Sequence, residues 1–367
     1  MSPAPSPEIR EWTTVEGGHV FRLPLEVFPG FWAYAYLVRA GDLWALIDAG
    51  SGMDSSNQGL EEGLRAVGVP WAALRYVLVT HGHIDHFGGL NFVRQRAPQA
   101  RIGIHELDRR TVTNYEERLT VVARRLRIFL LEAGVRPQRA DELLEMYLSL
   151  KSFFRSEQVD FTYEAAGMRV GPLWLLHLPG HCPGQVALRL HDVLFVGDHV
   201  LSDISPHQAP ESLTLYTGLG HYLASLRALE GWISGVRLAL GGHQHPMTDL
   251  RARIRAIRQV HRERLARVLD LLAEPHTVAE VSRALFGEVH GYHVLLALEE
   301  AGAHVEYLYL RGCLGIANLS EVERAPSGAP LRYYRLPGAQ AQQVPQGAEW
   351  ASSPPATPEG SGAPCIP

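Results

Sequence analysis

The run Thr80-His81-Gly82-His83-Ile84-Asp85-His86-Phe87-Gly88-Gly89 decides how this chain is read. It packs three histidines and an aspartate into the pattern H-x-H-x-D-H. Directly before it, Arg75-Tyr76-Val77-Leu78-Val79-Thr80 is apolar and β-branched and reads as a buried strand. Two glycines follow. The four polar side chains therefore sit on a loop at a strand end, where a rigid sheet can hold them still. Imidazole nitrogen and carboxylate oxygen suit Zn²⁺ and other borderline first-row ions. A tight loop cannot wrap one ion with all four side chains. His81 and His83, separated by Gly82, can converge on one ion, and Asp85 and His86 can reach a second beside it.

Three other segments offer further ligands. His181 sits in the Pro/Gly-framed turn of Leu178-Pro179-Gly180-His181-Cys182-Pro183-Gly184. Asp198 ends the apolar run Val193-Leu194-Phe195-Val196-Gly197-Asp198. His243 follows Leu238-Ala239-Leu240-Gly241-Gly242 and precedes Gln244-His245-Pro246. A lone strand-end histidine is more often a hydrogen-bonded structural residue. Four strand-end loops in one chain, all bearing metal-binding side chains, are a different matter.

Together the segments HGHIDHFGG, PGHCPG, FVGDH and GGHQHP resemble the metallo-β-lactamase superfamily, and within it the hydroxyacylglutathione-hydrolase-like (glyoxalase II-like) branch. The resemblance covers roughly residues 10 to 250. It implies an α/β fold, the αββα four-layer sandwich. It also implies two metal ions, one held by His81, His83 and His181, the other by Asp85, His86 and His243, with Asp198 bridging. His245 competes with His243 for the last place; His243 is favoured because it directly follows Gly242. Two Zn²⁺ per chain are expected, with Mn²⁺ or Fe as alternatives.

The composition agrees with an enzyme of this kind. The 367 residues are 46% hydrophobic with a formal net charge of −5, which suggests two domains and ample core. No stretch approaches 18 apolar residues, so no membrane span is expected. Met1-Ser2-Pro3-Ala4-Pro5-Ser6-Pro7-Glu8 carries neither a basic nor an apolar signal region, so a cytoplasmic protein is expected. That weighs against an exported antibiotic-degrading enzyme. Cys182, Cys313 and Cys365 are too scattered for a disulfide framework. Cys182, next to His181, is a candidate reactive thiol. Lys151 is the only lysine, and with abundant Ala, Gly and Pro the Arg-dominated charge points to a GC-rich bacterial genome.

Residues 1–10 read as a disordered tail and 11–247 as the hydrolase-like domain. Within it, strands are expected at Gly18 to Leu23, Phe31 to Val38, Trp44 to Asp48, Met168 to Leu178, Gln185 to Leu190 and Val193 to Val196, with a helix at Leu60 to Val67. A helical insertion at about 106–158 carries Tyr115 to Glu132 and Ala140 to Phe154 at helical spacing. Its Phe129, Met146, Tyr147, Phe153 and Phe154 are candidates for a lid. Residues 248–336 are expected to hold a linker helix, about Asp249 to Ala273, and a small, mainly helical domain. That domain opens on the capping box Thr277-Val278-Ala279-Glu280, continues with a second helix over Gly291 to Ala301 and a third from Ala303, and ends in a hairpin. It resembles a β-lactamase-associated winged-helix domain. Residues 337–367 are Pro/Gly/Ala/Ser/Gln-rich and read as disordered.

Two adjacent ions activate a bridging hydroxide and polarise the scissile group, so the expected reaction is hydrolysis, with Asp85 as the catalytic carboxylate beside the ions. Esters, thioesters, lactones and phosphodiesters all suit such a centre. His207 and Tyr222 are candidate substrate contacts. Within 276–336 seven acids (Glu280, Glu288, Glu299, Glu300, Glu306, Glu321, Glu323) outnumber five bases (Arg283, Arg311, Arg324, Arg332, Arg335), a poor surface for phosphates. Only the arginines of the 251–267 helix argue otherwise. A small-molecule hydrolase is therefore the first reading, an endoribonuclease the second, and an enzyme like the mononuclear iron persulfide dioxygenases the third. A membrane partner is not expected; nucleic acid is not favoured, and a homodimer stays open.

Overall fold

The first sheet has seven strands in chain order: β1 (Arg10–Thr13), β2 (His19–Phe28), β3 (Phe31–Ala40), β4 (Leu43–Ile47), β5 (Leu74–Leu78), β6 (Arg101–Ile104) and β7 (Phe161–Thr162). It is antiparallel up to β4 and parallel from β4 to β7. The computed structural model that gives this architecture describes residues 8–325 and 329–339. Most of the two expected tails lies outside those residues, as does Cys365; Arg10 already opens a strand.

The second sheet holds β8 (Arg169–Val170), β9 (Leu173–His177), β10 (Val186–Leu190), β11 (Val193–Gly197) and β12 (Leu238–Gly241) in the order β12-β11-β10-β9-β8. Only β11 and β12 run parallel. The strand expected over Met168 to Leu178 is thus two strands, because Gly171-Pro172 turns the chain between them; Gly171 has φ +57°.

The two sheets face each other across one apolar layer. Val20, Tyr36, Val38 and Ile47 from the first meet Leu175, Leu188, Val193, Phe195 and Leu240 from the second. Strand β3 is buried from Ala33 through Val38 without alternation, because it is covered on both faces. On the outer face of the first sheet lie α1 (Asp54–Val67) and α3 (Leu90–Arg96), which press Leu60, Leu64, Leu90 and Val93 onto Leu25, Leu37 and Val77; the one-turn α2 (Ile84–Phe87) precedes α3. After β6 come α4 (Glu106–Thr113), α5 (Tyr115–Glu132) and α6 (Pro137–Lys151), the insertion. The outer face of the second sheet is covered by α7 (Leu219–Trp232), α8 (Leu250–Leu271) and, further on, α10 (His293–Leu310). The result is the α/β four-layer order, helix, sheet, sheet, helix.

On α8, Leu250, Ile254, Ile257, Leu265 and Val268 are all buried, as their spacing predicts. One apolar cluster joins them to Val196 of β11 and Val305 of α10, so the core runs across the boundary expected at 247. The capping box forms at α9 (Val278–Phe286): Glu280 N donates to Thr277 Oγ at 3.3 Å and Thr277 N to Glu280 Oε2 at 2.7 Å. The second and third helices expected after it are one helix, α10. Gly302 does not break it, although glycine costs a helix interior about 1 kcal/mol. A Cβ there would come within 2.9 Å of Phe129 on α5 and of Pro210, so the glycine admits close packing. The expected hairpin is β13 (Leu314–Ile316) against β14 (Tyr333–Arg335), with the short α11 (Leu319–Arg324) between them.

Candidate metal centre

Each ligand-bearing loop leaves the carboxyl end of a strand. His81, His83, Asp85 and His86 follow β5, His181 follows β9, Asp198 follows β11 and His243 follows β12. Hydrogen bonds between the sheets hold this edge closed: Val186 N donates to Thr80 O (2.9 Å), Tyr34 N to Gly242 O (2.8 Å), and the Tyr36 hydroxyl to Gly241 O (2.6 Å). Gly242 lets the loops meet. A Cβ at this position would stand 2.3 Å from Asp198 Oδ1 and 2.5 Å from His86 Cε1.

The seven side chains converge. His81, His83 and His181 offer ligand atoms within 4.8 Å of one another, and so do Asp85, His86 and His243. His83 Nδ1 lies 3.0 Å from His181 Nε2. His243 Nε2 lies 3.3 Å from Asp85 Oδ2 and 3.2 Å from Asp198 Oδ2. Asp198 reaches both groups, with Oδ1 3.5 Å from His86 Nε2 and Oδ2 3.9 Å from His181 Nε2. Ligands at about 2.0–2.1 Å from one ion in tetrahedral array stand about 3.3 Å apart, so these separations fit metal ligation. His81 Nε2, His86 Nε2 and Asp198 Oδ1 are buried without any hydrogen-bond partner in the protein. Orphaned buried polar atoms are costly, and coordination to a cation would satisfy all three. His245, by contrast, is 76% exposed and pairs with Asp203 at 3.8 Å.

Electrostatics divides the centre in two. Burial and the neighbouring imidazoles hold His81 and His83 well below the usual histidine range, and burial lowers His181 as well. These three rings are neutral, with lone pairs ready to bind a metal. Burial opposes charge on His86 and His243 too, but Asp198 and Asp85 override it: His86 is raised well above its ordinary value and His243 to about 10. Burial pushes Asp85 and Asp198 up, and His86 and His243 outweigh it, holding both carboxylates ionised.

The sequence reading missed the groups that orient the ligands, which a metal site needs as much as the ligands themselves. Asp48, just past β4, accepts from Thr80 N (2.7 Å), Thr80 Oγ (2.8 Å) and His86 Nδ1 (2.9 Å). It is a non-glycine residue at φ +61°, a conformation aspartate tolerates better than most residues. Thr80 Oγ also contacts His81 Nδ1 (2.9 Å). The His243 Nδ1 hydrogen goes to Trp32 O (2.7 Å) and that of His181 to His207 O (2.9 Å). Asp108 of α4 accepts from Gly82 N at 2.8 Å; burial raises its carboxyl to about 6 while the Gly82 and Gly184 amides pull the other way. The one sequence signal for Asp48 was its place at a strand end, Leu46-Ile47-Asp48, where Asp198 also sits.

The two candidate substrate contacts fare differently. Tyr222 is corrected: it is 0% exposed in the core beneath the second sheet, its hydroxyl donating to His199 O at 2.9 Å, with no face for a ligand. An apolar ring at helical spacing on α7 was the signal for core. His207 is half-buried, but its imidazole pairs with Glu299 Oε2 (2.9 Å) on α10, and its carbonyl holds His181. The same loop is clamped by Gln208 N to Glu300 Oε2 (2.7 Å) and by Glu211 N and Ser212 N to Glu306. Helix α10 thereby supports a ligand loop. A fourth His/Glu group, His261, Glu300 and His304, lies behind this clamp. Its contacts fit a neutral hydrogen-bonded pair. His304 Nδ1–H donates to Glu300 O (2.7 Å), leaving Nε2 to accept from His261 Nδ1–H (3.1 Å), and burial lowers both rings. Glu300 is paired with Arg264 at 2.7 Å.

Of the lid aromatics, Phe154 is core and Phe153 is 78% exposed, whereas Phe129, Met146 and Tyr147 pack with Tyr292 of the C-terminal region. Cys182 is buried, and burial pushes its thiol well above the usual range, so it is no reactive thiolate. Among the described residues no helix is long and apolar enough to cross a membrane.

Comparison with known proteins agrees with this geometry. The profile of the metallo-beta-lactamase superfamily matches residues 31–274. "Probable metallo-hydrolase YqjP" of Bacillus subtilis (strain 168) is 27% identical over 284 residues, 74% of this chain and 86% of that protein. The crystal structure of a metallo-beta-lactamase family protein from Thermus thermophilus is similar at TM-score 0.66 and 27% identity, covering 86% of this chain and 98% of that one. A beta-lactamase domain protein from Burkholderia ambifaria shares the fold at TM-score 0.67 and 24% identity, covering 89% and 94%.

Proposed function

The chain belongs to the metallo-β-lactamase superfamily and is a metal-dependent hydrolase; from that premise we propose that it works with two metal ions on a small-molecule ester, thioester or lactone. His81, His83 and His181 would hold one ion, and Asp85, His86 and His243 the other. Asp198 carries this reading: its carboxylate oxygens stand 3.2–3.9 Å from His243, His86 and His181, so one side chain serves both groups. The donor set favours Zn²⁺, with Fe or Mn²⁺ as alternatives. When bound, the ions supply a nucleophile from water at neutral pH and polarise the acyl oxygen. Asp85, held ionised, accepts hydrogen bonds at its carboxylate and orients what arrives beside His243. Phe31, 48% exposed with its ring 4.9 Å from that of His243, offers an apolar edge to a substrate. The carbonyls of Trp32 and His207 keep the His243 and His181 rings aimed.

A small molecule is favoured over RNA because four of the seven arginines of α8 are held by an acid or a carbonyl within the protein. Arg251 and Arg258 pair with Glu230, Arg264 with Glu300, and Arg253 donates to Leu201 O. That pairing breaks up the basic stripe a phosphate backbone would follow. The protein is proposed to act in the cytoplasm without a nucleic-acid partner. A screen of aryl esters, thioesters and lactones against RNA tests the reading. Acyl hydrolysis that a chelator abolishes and added zinc restores is expected. RNA cleavage without acyl turnover would overturn it, and one iron per chain would favour an oxygenase.

A further inference from the structure

Strand β1 is the edge of the first sheet and β12 the edge of the second. Between them opens a groove of about 540 Å³, bordered by Arg10 and Trp12 of β1 and by Leu238, His245, Pro246 and Thr248 at and beyond β12. The far wall is fixed in place, because Ala239 and Met247 exchange two backbone hydrogen bonds of 2.8 Å. The size is that of a small-molecule site. Trp12 packs against the apolar layer between the sheets, and Leu238 belongs to that layer, so the floor is firm and apolar.

One wall is cationic. Arg10 and Trp12, two residues apart on a strand, share a face. Arg22 stands directly opposite Arg10 in the β1–β2 ladder, so both arginine side chains leave the sheet on the same side. Among the described residues neither has a carboxylate within ion-pair distance. Arg10 is exposed, but Arg22 is only 4% exposed. Its guanidinium carbon lies 4.1 Å from the centroid of the Tyr34 ring, Nη1 donates to Gln244 O at 3.3 Å, and Nε is buried without a hydrogen-bond partner. The one acid bordering the groove, Glu11, is occupied by His19 at 2.8 Å.

Two costs meet here. Like charges directly opposite each other destabilise a sheet, and burying a cation without an acid is unfavourable. A bound anion offsets both. Guanidinium groups suit the oxygens of a carboxylate or phosphate, Thr248 adds a hydroxyl, and Trp12, Leu238 and Pro246 offer apolar surface.

We propose that this groove is a second small-molecule site, outside the metal centre, for an amphipathic oxyanion. Its carboxylate or phosphate head lies against Arg10 and Thr248 in the field of Arg22, and its apolar body lies against Trp12. The site stands whether or not the chain hydrolyses acyl compounds.

The test is calorimetric titration of the full, metal-loaded chain with benzoate and with phenylphosphonate, the carboxylate and the phosphate-like probe. Oxyanions also ligate metals, so variants locate the binding; Arg10 and Thr248 lie outside the seven-ligand set. At least one probe binds wild type. Its affinity falls about tenfold in Arg10→Gln, the loss of one charge-assisted contact, falls further in Arg10→Gln with Thr248→Val, and is largely kept in Arg10→Lys. Binding quenches tryptophan fluorescence in wild type, and that quenching disappears in Trp12→Phe. The tighter probe tells whether the head is a carboxylate or a phosphate. No binding of either probe to wild type overturns the proposal. So does wild-type affinity in the Arg10→Gln, Thr248→Val protein, which would put the probe at the metals.

Discussion

Replacing Asp48 by asparagine isolates the orientation of one ligand. Asp48 Oδ1 accepts from Thr80 N and Oδ2 accepts from both Thr80 Oγ and His86 Nδ1, at 2.7, 2.8 and 2.9 Å. Asparagine tolerates the φ of +61° there and is nearly isosteric, so the backbone need not move. One oxygen remains to serve Thr80 N. The other position becomes an NH₂, which donates and cannot accept. His86 must then turn its Nδ1 lone pair toward the amide, and the ring proton moves to Nε2, the atom that faces Asp198 and Asp85. A protonated Nε2 cannot bind a metal. Loss of such an orienting partner typically costs 10- to 100-fold in metal affinity or activity, which is about 1.4–2.7 kcal/mol. The assay is a chelator competition titration of Asp48→Asn against wild type, with kcat measured at saturating metal. One ion should weaken by that factor while the His81, His83, His181 group keeps its affinity. Wild-type affinity for both ions would refute the role given to Asp48.

The clamp on the His207 loop has a pH signature. Burial opposes charge on His207, but Glu299 and Glu300 raise its pKa above the ordinary 6.5. A group raised in the folded state contributes stability that is full below 6.5 and is lost as pH rises through its folded value. The difference in unfolding free energy between wild type and Glu299→Gln should therefore be widest near pH 6, on the order of 1.5 kcal/mol, and should shrink above pH 6.5. A difference that is flat with pH would mean an uncharged His207. Tyr222→Phe should lose about 1 kcal/mol of stability, the worth of the hydrogen bond to His199 O, with kcat/KM changed less than about twofold. A tenfold fall in kcat/KM would return the phenol to the substrate site.

What could be read in the sequence, and what could not, follows from how local each signal is. The strand before His81, the strands ending at Asp198 and His243, and the buried face of α8 each rest on periodicity within a few residues, and each forms where expected. Gly242 ahead of His243 was the one cue separating it from His245, and the close approach of Asp198 and His86 to that glycine is its physical basis. The orienting groups were not legible. Asp48 precedes the motif by more than thirty residues, Asp108 comes from the insertion, and the carbonyls of Trp32 and His207 carry no side-chain signature. Gly302 misled for a related reason: a glycine is read locally as a break, while its purpose here is the packing of Phe129 from a helix about 170 residues earlier. The roles of Glu299, Glu300 and Glu306 were hidden as well. They counted as surface acids until folding set them against the 205–212 loop.

Metal stoichiometry tests the central claim most directly. The chain is saturated with zinc, freed of loose ions by gel filtration and measured by elemental analysis against protein concentration. Seven converging ligands, with Asp198 between two groups of three, predict two ions per chain. A value that stays at one, whichever of zinc, iron or manganese is offered, would contradict the dinuclear account.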